Sequence, residues 1–170
     1  MTASPKYKKQ LLKLFSDFPF LMPGKFYGAQ DRFYCMYIAS RRMYSDPKIL
    51  NLFGKTLGQI AKRLPIDAVC GAPTAGTPLA VSVSQQTGLP FLCLRDKRGI
   101  KGERNVIEGS YQPNWRIALI DDASGHGQTK KQMIQNIRKE GLVCNNVINL
   151  FSAEMPWIPI ISEQKLPYIL

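Results

Sequence analysis

Two adjacent carboxylates, Asp121 and Asp122, close the apolar run Ile117-Ala118-Leu119-Ile120. From them the chain passes through Ala123-Ser124-Gly125-His126-Gly127-Gln128 to the hydroxyl of Thr129. These residue types in this order suit a sugar phosphate. Carboxylates accept from sugar hydroxyls, and a glycine-rich turn at a helix start aims backbone N–H groups at a phosphate. Side chains alternate along a strand, so the two acids point to different sides: one can contact a ligand while the other fixes the loop. A second turn of related composition is Gly71-Ala72-Pro73-Thr74-Ala75-Gly76-Thr77-Pro78, and a basic stretch with Arg95, Lys97, Arg98, Lys101 and Arg104 lies between the two. His126, inside the first turn, either faces a ligand or is an exposed loop residue. The chain lacks Gly-x-Gly-x-x-Gly after its first strand and also the Gly-x-x-x-x-Gly-Lys-Ser/Thr pattern. Gly125 to Thr129 has neither the spacing nor the lysine of the latter, so nucleotide hydrolysis gains little support.

The elements that must position these turns can be read from hydrophobic spacing and punctuation. Gln10 to Phe15 reads as part of a short opening helix and Phe33 to Ile38 as a strand. Asp46-Pro47 supplies an acidic N-cap and a first-turn proline to a helix with Ile49, Leu50, Phe53, Leu57 and Ile60 on its apolar side, ended by Pro65. A strand over Ile66 to Cys70 feeds the second turn, then a small-residue helix over Leu79 to Gln86 and a strand over Leu89 to Leu94. The strand Arg116 to Ile120 runs into the acids. A helix from Thr129 follows, with Met133, Ile134 and Ile137 on one face and basic residues around them, and a last strand covers Leu142 to Leu150. Strands alternating with helices predict an α/β fold with a mostly parallel sheet covered on both faces. Both glycine turns are then expected beyond the carboxyl ends of the strands.

Composition bounds the rest. The 170 residues, 45% hydrophobic and 21% charged, predict one domain over residues 1–170 with a core of its own. Apolar stretches are broken too often for a membrane span, and the first residues do not read as a secretory signal, so a cytoplasmic protein is expected. Cys35, Cys70, Cys93 and Cys144 are scattered without a Cys-x-x-Cys pair and are expected as buried free thiols. A single histidine leaves few ways to assemble a protein metal site, and none is assigned. The formal charge of +11 fits either nucleic acid or a heavily charged small ligand such as a polyphosphate. No helix-turn-helix, zinc-finger or RNA-binding aromatic pattern accompanies it, which leaves nucleic acid as the alternative.

Taken together, Ile117 to Thr129, the Val69 to Ala80 segment and Ile107-Glu108-Gly109 resemble the motifs of type I phosphoribosyltransferases, and among these the chain is similar to the orotate enzymes. The resemblance implies the corresponding fold, with a central mostly parallel sheet and a small N-terminal hood on the substrate side. It implies transfer of 5-phosphoribosyl from phosphoribosyl pyrophosphate (PRPP) to a nucleobase such as orotate. Asp121 and Asp122 would bind the ribose 2′ and 3′ hydroxyls. Ala123, Ser124, Gly125, His126, Gly127, Gln128 and Thr129 would hold the 5′-phosphate. Ala72, Pro73, Thr74, Ala75 and Gly76 would contact pyrophosphate, whose Mg²⁺ is held mainly by PRPP itself. Lys25, Tyr37 and Arg41 fall in the base-side segment. A homodimer is implied as well, because the flexible loop of relatives reaches the neighbouring subunit's site.

The chain departs from the pattern in that loop. Asp96 stands where a first lysine is expected and Gly99 where the mobile catalytic lysine is expected. Arg95, Lys97 and Lys101 are therefore the candidates to supply charge to the leaving group. Two alternatives follow from the departures: a phosphoribosyltransferase for another base, and a non-catalytic PRPP or nucleotide sensor that binds nucleic acid.

Overall fold

The computed structural model describes residues 4–17, 20–27, 33–96, 105–124 and 127–152. From the N-terminus, helix α1 (Pro5–Asp17) leads to strands β1 (Leu21–Tyr27) and β2 (Phe33–Ile38), a single turn α2 (Ser40–Met43) and helix α3 (Pro47–Ala61). There follow β3 (Ala68–Gly71), α4 (Gly76–Thr87), β4 (Phe91–Leu94), β5 (Ile107–Glu108), β6 (Arg116–Ser124), α5 (Gln128–Lys139) and β7 (Val143–Ser152). The five later strands form one sheet in the order β5-β4-β3-β6-β7, and β1 and β2 form a separate antiparallel pair. Within the larger sheet β4, β3, β6 and β7 run parallel, and only the short edge strand β5 is antiparallel.

Burial explains why this sheet is the centre. Ile117 to Ile120 are inaccessible on both faces, as a strand between two covered layers requires. On one face Ala118 and Ile120 pack with Phe53, Leu57 and Ile60 of α3, Leu79 and Val83 of α4, and Leu11 of α1. On the other, Ile117 and Leu119 pack with Ile134 and Ile137 of α5, and with Cys144 and Val147 of β7. The Asp46 carboxylate accepts from the Lys48 N–H at 2.8 Å and caps α3 as anticipated. Gly88, at φ +77°, ends α4.

Several boundaries differ from expectation. Helix α1 begins at Pro5 rather than near Gln10. Strand β1 was not anticipated, because Pro23-Gly24-Lys25 breaks its alternation; the pairing with β2 absorbs that break as an irregularity between Pro23 and Phe26. Strand β6 does not stop at Ile120 but carries both acids within it, as far as Ser124. Of the four thiols, Cys70 and Cys144 are buried, whereas Cys93 is half-buried and Cys35 exposed. Among the described residues no helix is long and apolar enough to cross a membrane.

Candidate functional site

Parallel pairing of β3 with β6 sets Gly71 beside Ile120, so the segment after β3 and the acids of β6 emerge at one edge of the sheet, the carboxyl edge. The Ala72 N–H donates to the Ile120 carbonyl at 2.9 Å and holds the two segments together. A Cβ at Gly76 would collide with that same carbonyl and stand 3.0 Å from the Asp121 Cα; glycine is what lets the start of α4 lie against β6 here. Ala72 and Gly76 are buried, Pro73 and Ala75 are half-buried, and Thr74 is exposed beyond a cis Pro73–Thr74 peptide. At the neighbouring loop, Gly127 caps α5 at φ +76° without a side-chain acceptor. The first-turn N–H groups of α5 are therefore directed at the loop, the arrangement that receives an anion.

The two acids sit in different surroundings. Asp121 is 6% exposed; its Oδ1 accepts from the Asp122 N–H at 2.9 Å and its Oδ2 from the Lys130 ammonium. Lys130 was expected on the solvated rim of α5 but is buried. At i, i+4 and i+7 it shares the apolar face of Ile134 and Ile137, and its charge is tolerated there because Asp121 lies opposite. Burial draws its pKa down to about 8. Asn149, the β7 partner of Asp121, is buried too, and among the described residues neither atom of its amide closes a hydrogen bond. Asp122 is half-buried. Its Oδ1 accepts from the Ala123 N–H at 2.7 Å and its Oδ2 from the Ser40 hydroxyl at the start of α2. Each carboxylate oxygen retains a second acceptor site, and Asp122 is the acid with solvent access to use it.

On the N-terminal side, Arg41 Nη2 donates to the Tyr37 hydroxyl at 3.1 Å, and the Tyr37 ring stacks on Phe26 with centroids 5.3 Å apart. The Tyr37 hydrogen bond foremost, and the charge of Asp122 further down, raise the pKa of Arg41. Lys25 is exposed at the irregularity in β1. The Tyr44 hydroxyl is buried beside Ser40 and Asp122 and closes no hydrogen bond among the described residues. Burial foremost, then the Asp122 charge, raises its pKa and keeps the phenol neutral.

Arg95 pairs with Glu108 across the exposed neck of the basic stretch, while its N–H donates to the Val106 carbonyl at 2.9 Å. Lys97, Lys101, Gly125 and His126 lie outside the described residues. Of the remaining phosphate-loop candidates, Ala123 and Gly127 are half-buried, Ser124 is buried, and Gln128 and Thr129 are exposed at the start of α5. Among the described residues no three His, Cys, Asp or Glu side chains gather as a metal site. An open cavity of about 400 Å³ lined by Asn105, Ser110, Tyr111, Gln112 and Trp115 lies towards the opposite end of β6, away from the acids.

Sequence reasoning missed Ser40, Tyr44 and Lys130. The lysine alone left a signal, a cation at helical spacing on an apolar face. Ser40 meets Asp122 from 82 positions away, a contact that no local pattern records.

No protein-family model matches the chain. It is 28% identical over 148 residues to the orotate phosphoribosyltransferase of Caenorhabditis elegans, an alignment covering 86% of this chain and 65% of that protein. The chain thus spans about two thirds of the length of that relative. Leishmania donovani UMP synthase superimposes with a TM-score of 0.81 at 24% identity, over 94% of this chain and 34% of that one. Mycobacterium tuberculosis orotate phosphoribosyltransferase does so with a TM-score of 0.75 at 18% identity, over 96% of this chain and 94% of that one. The same enzyme solved in complex with PRPP matches over 68% of this chain with a TM-score of 0.58.

Proposed function

We propose that this chain, which has the type I phosphoribosyltransferase fold, transfers the 5-phosphoribosyl group of PRPP to orotate with release of pyrophosphate. The observation that carries the reading is the meeting of the Ala72–Gly76 loop, Asp122 and the start of α5 at one sheet edge, joined by the Ala72 to Ile120 hydrogen bond. Sequence similarity to curated orotate phosphoribosyltransferases supports the choice of acceptor.

In this reading the half-exposed Asp122 accepts from the ribose hydroxyls, and the first-turn N–H groups of α5 receive the 5′-phosphate. Asp121, neutralised by Lys130, fixes the strand beneath. Backbone groups of Pro73 to Gly76 face the pyrophosphate. Mg²⁺ fits a site of this kind as an ion carried by the substrate's phosphate oxygens, since the carboxylates nearby already accept from protein donors. When bound it offsets negative charge on the departing pyrophosphate. A base nitrogen forms its bond to the anomeric carbon as the bond to the pyrophosphate oxygen breaks, through a cationic sugar. Orientation and electrostatics do this work, without a protein nucleophile. Arg95, held beside Glu108, and Lys97 and Lys101 are the cations assigned to the leaving group, and Tyr37 with Arg41 and Lys25 to the base. We assign the enzyme to the cytoplasm, where four free thiols are stable, and as a homodimer, which light scattering of the purified protein tests.

The deciding experiment is calorimetric titration with PRPP and Mg²⁺, followed by addition of orotate with detection of pyrophosphate. Binding with orotate-dependent release is expected. Binding without release rejects orotate as the acceptor, and absence of binding rejects the sugar-phosphate site altogether.

A further inference from the structure

Ser40 stands between two groups that one hydroxyl can serve in turn. In the sugar-free protein it donates to Asp122 Oδ2. Four residues on, at the end of the same turn, Tyr44 lies on the same side of α2, as i and i+4 positions do. The Tyr44 hydroxyl is buried against Ser40 and Asp122 but closes no hydrogen bond among the described residues. An unsatisfied buried hydroxyl is costly, so a structure that keeps one has a use for it in another state. Its ring is held independently, edge-on to Phe53 with centroids 6.3 Å apart, so the hydroxyl is presented in place and does not rest on the hydrogen bond for its position.

We propose that Ser40 is a positioning residue that hands its hydrogen bond from Asp122 to the Tyr44 hydroxyl when the ribose hydroxyls of PRPP take over Asp122. This rests on the PRPP reading above and adds to it a link between the sugar acid and the base-side turn that carries Arg41. While the sugar is absent, Ser40 holds the carboxylate in place. Once sugar hydroxyls donate to Asp122, Ser40 turns to Tyr44 and the orphaned phenol gains its partner. The end of α2 then registers that the sugar site is filled.

The test follows near-ultraviolet difference absorbance and calorimetry in parallel as PRPP with Mg²⁺ is added to the wild type, Tyr44→Phe, Ser40→Ala and the double variant. PRPP does not absorb where tyrosine does, so a phenol that gains a hydrogen bond produces a difference band of its own. The wild type is expected to show that band, and both single variants to lose it. Tyr44→Phe is expected to bind PRPP about threefold to tenfold more weakly. The double variant is expected to fall no further than the weaker single, because both substitutions remove one and the same contact. Thermal stability of sugar-free Tyr44→Phe should match or exceed that of the wild type, since its hydroxyl is unused there; a purely structural hydroxyl would give a loss. An unchanged band in Tyr44→Phe, or additive losses in the double variant, overturns the hand-over and leaves the PRPP site standing. A wild type that fails to bind PRPP overturns both.

Discussion

Asp121 and Asp122 are chemically identical neighbours whose roles are separated by surroundings. Asp121 is enclosed and carries a lysine as its counter-charge, while Asp122 keeps part of its surface open at the sheet edge. Substitutions at the two are expected to fail differently. Asp122→Asn removes a charged acceptor from the sugar, and PRPP affinity should drop about tenfold to a hundredfold with little change in melting temperature. Lys130→Met leaves a buried carboxylate without its partner and should cost about 3–5 kcal/mol in chemical denaturation. The pair Asp121→Asn with Lys130→Met, which buries no charge, should recover most of that loss; a double variant as unstable as Lys130→Met would show that the ion pair is not what holds this region. Alternation along a strand foretold that the two acids part, but not which way each faces. That depends on Lys130 and Ser40, and the second is distant in sequence.

At the scale of elements, the sheet edge exists because glycines let backbone meet backbone. Gly76→Ala would drive a methyl into the Ile120 carbonyl, and neither side of that contact is a flexible side chain that could yield. Its expected result is a large loss of melting temperature, or a protein that folds but no longer binds PRPP; normal stability with normal PRPP binding would contradict the apposition. At the opposite end of the same two strands, Arg116 forms a two-point ion pair with Asp67, at 2.9 and 2.8 Å, with a further backbone bond from the Arg116 N–H. These bonds hold the Asp67 pKa down at about 2. A lowered carboxylate pKa means that the folded state binds fewer protons, so the contribution is present above about pH 4 and is lost as the pH falls to about 2. The gap in melting temperature between wild type and Asp67→Asn should therefore close over that range. Strand and helix order was legible because β6 is continuously apolar and α3 is capped by Asp46-Pro47. The extension of β6 through two acids was not, because strand propensity disfavours aspartate and only tertiary partners permit it.

The whole molecule is built in two unequal parts, and the smaller one carries the base-side residues. The five-stranded sheet has buried clusters on both faces, whereas β1 and β2 form a two-stranded pair with Tyr27 at 78% and Tyr37 at 37% exposure. Two strands alone are at best marginally stable in water, so this pair depends on its anchors. These are the stack of Phe20 on Phe151 at 5.4 Å and the bond from the Ala39 N–H to the Phe20 carbonyl at 2.7 Å. Hydropathy patterning could locate the large sheet, whose strands are buried by local apolar runs. It could not locate the pair, whose place is set by contacts from the far end of the chain. Regions with few buried apolar contacts open at lower free energy than the core. Backbone amides of β1 and β2 should accordingly exchange with solvent well before those of β3 and β6 in the free protein. If Ser40 and Arg41 join this part to the sugar acid, addition of PRPP with Mg²⁺ should slow exchange in β2 and α2 as well as at the start of α5. Protection confined to α5 would mean that the two parts bind their ligands independently, and that the base-side residues wait for the acceptor alone.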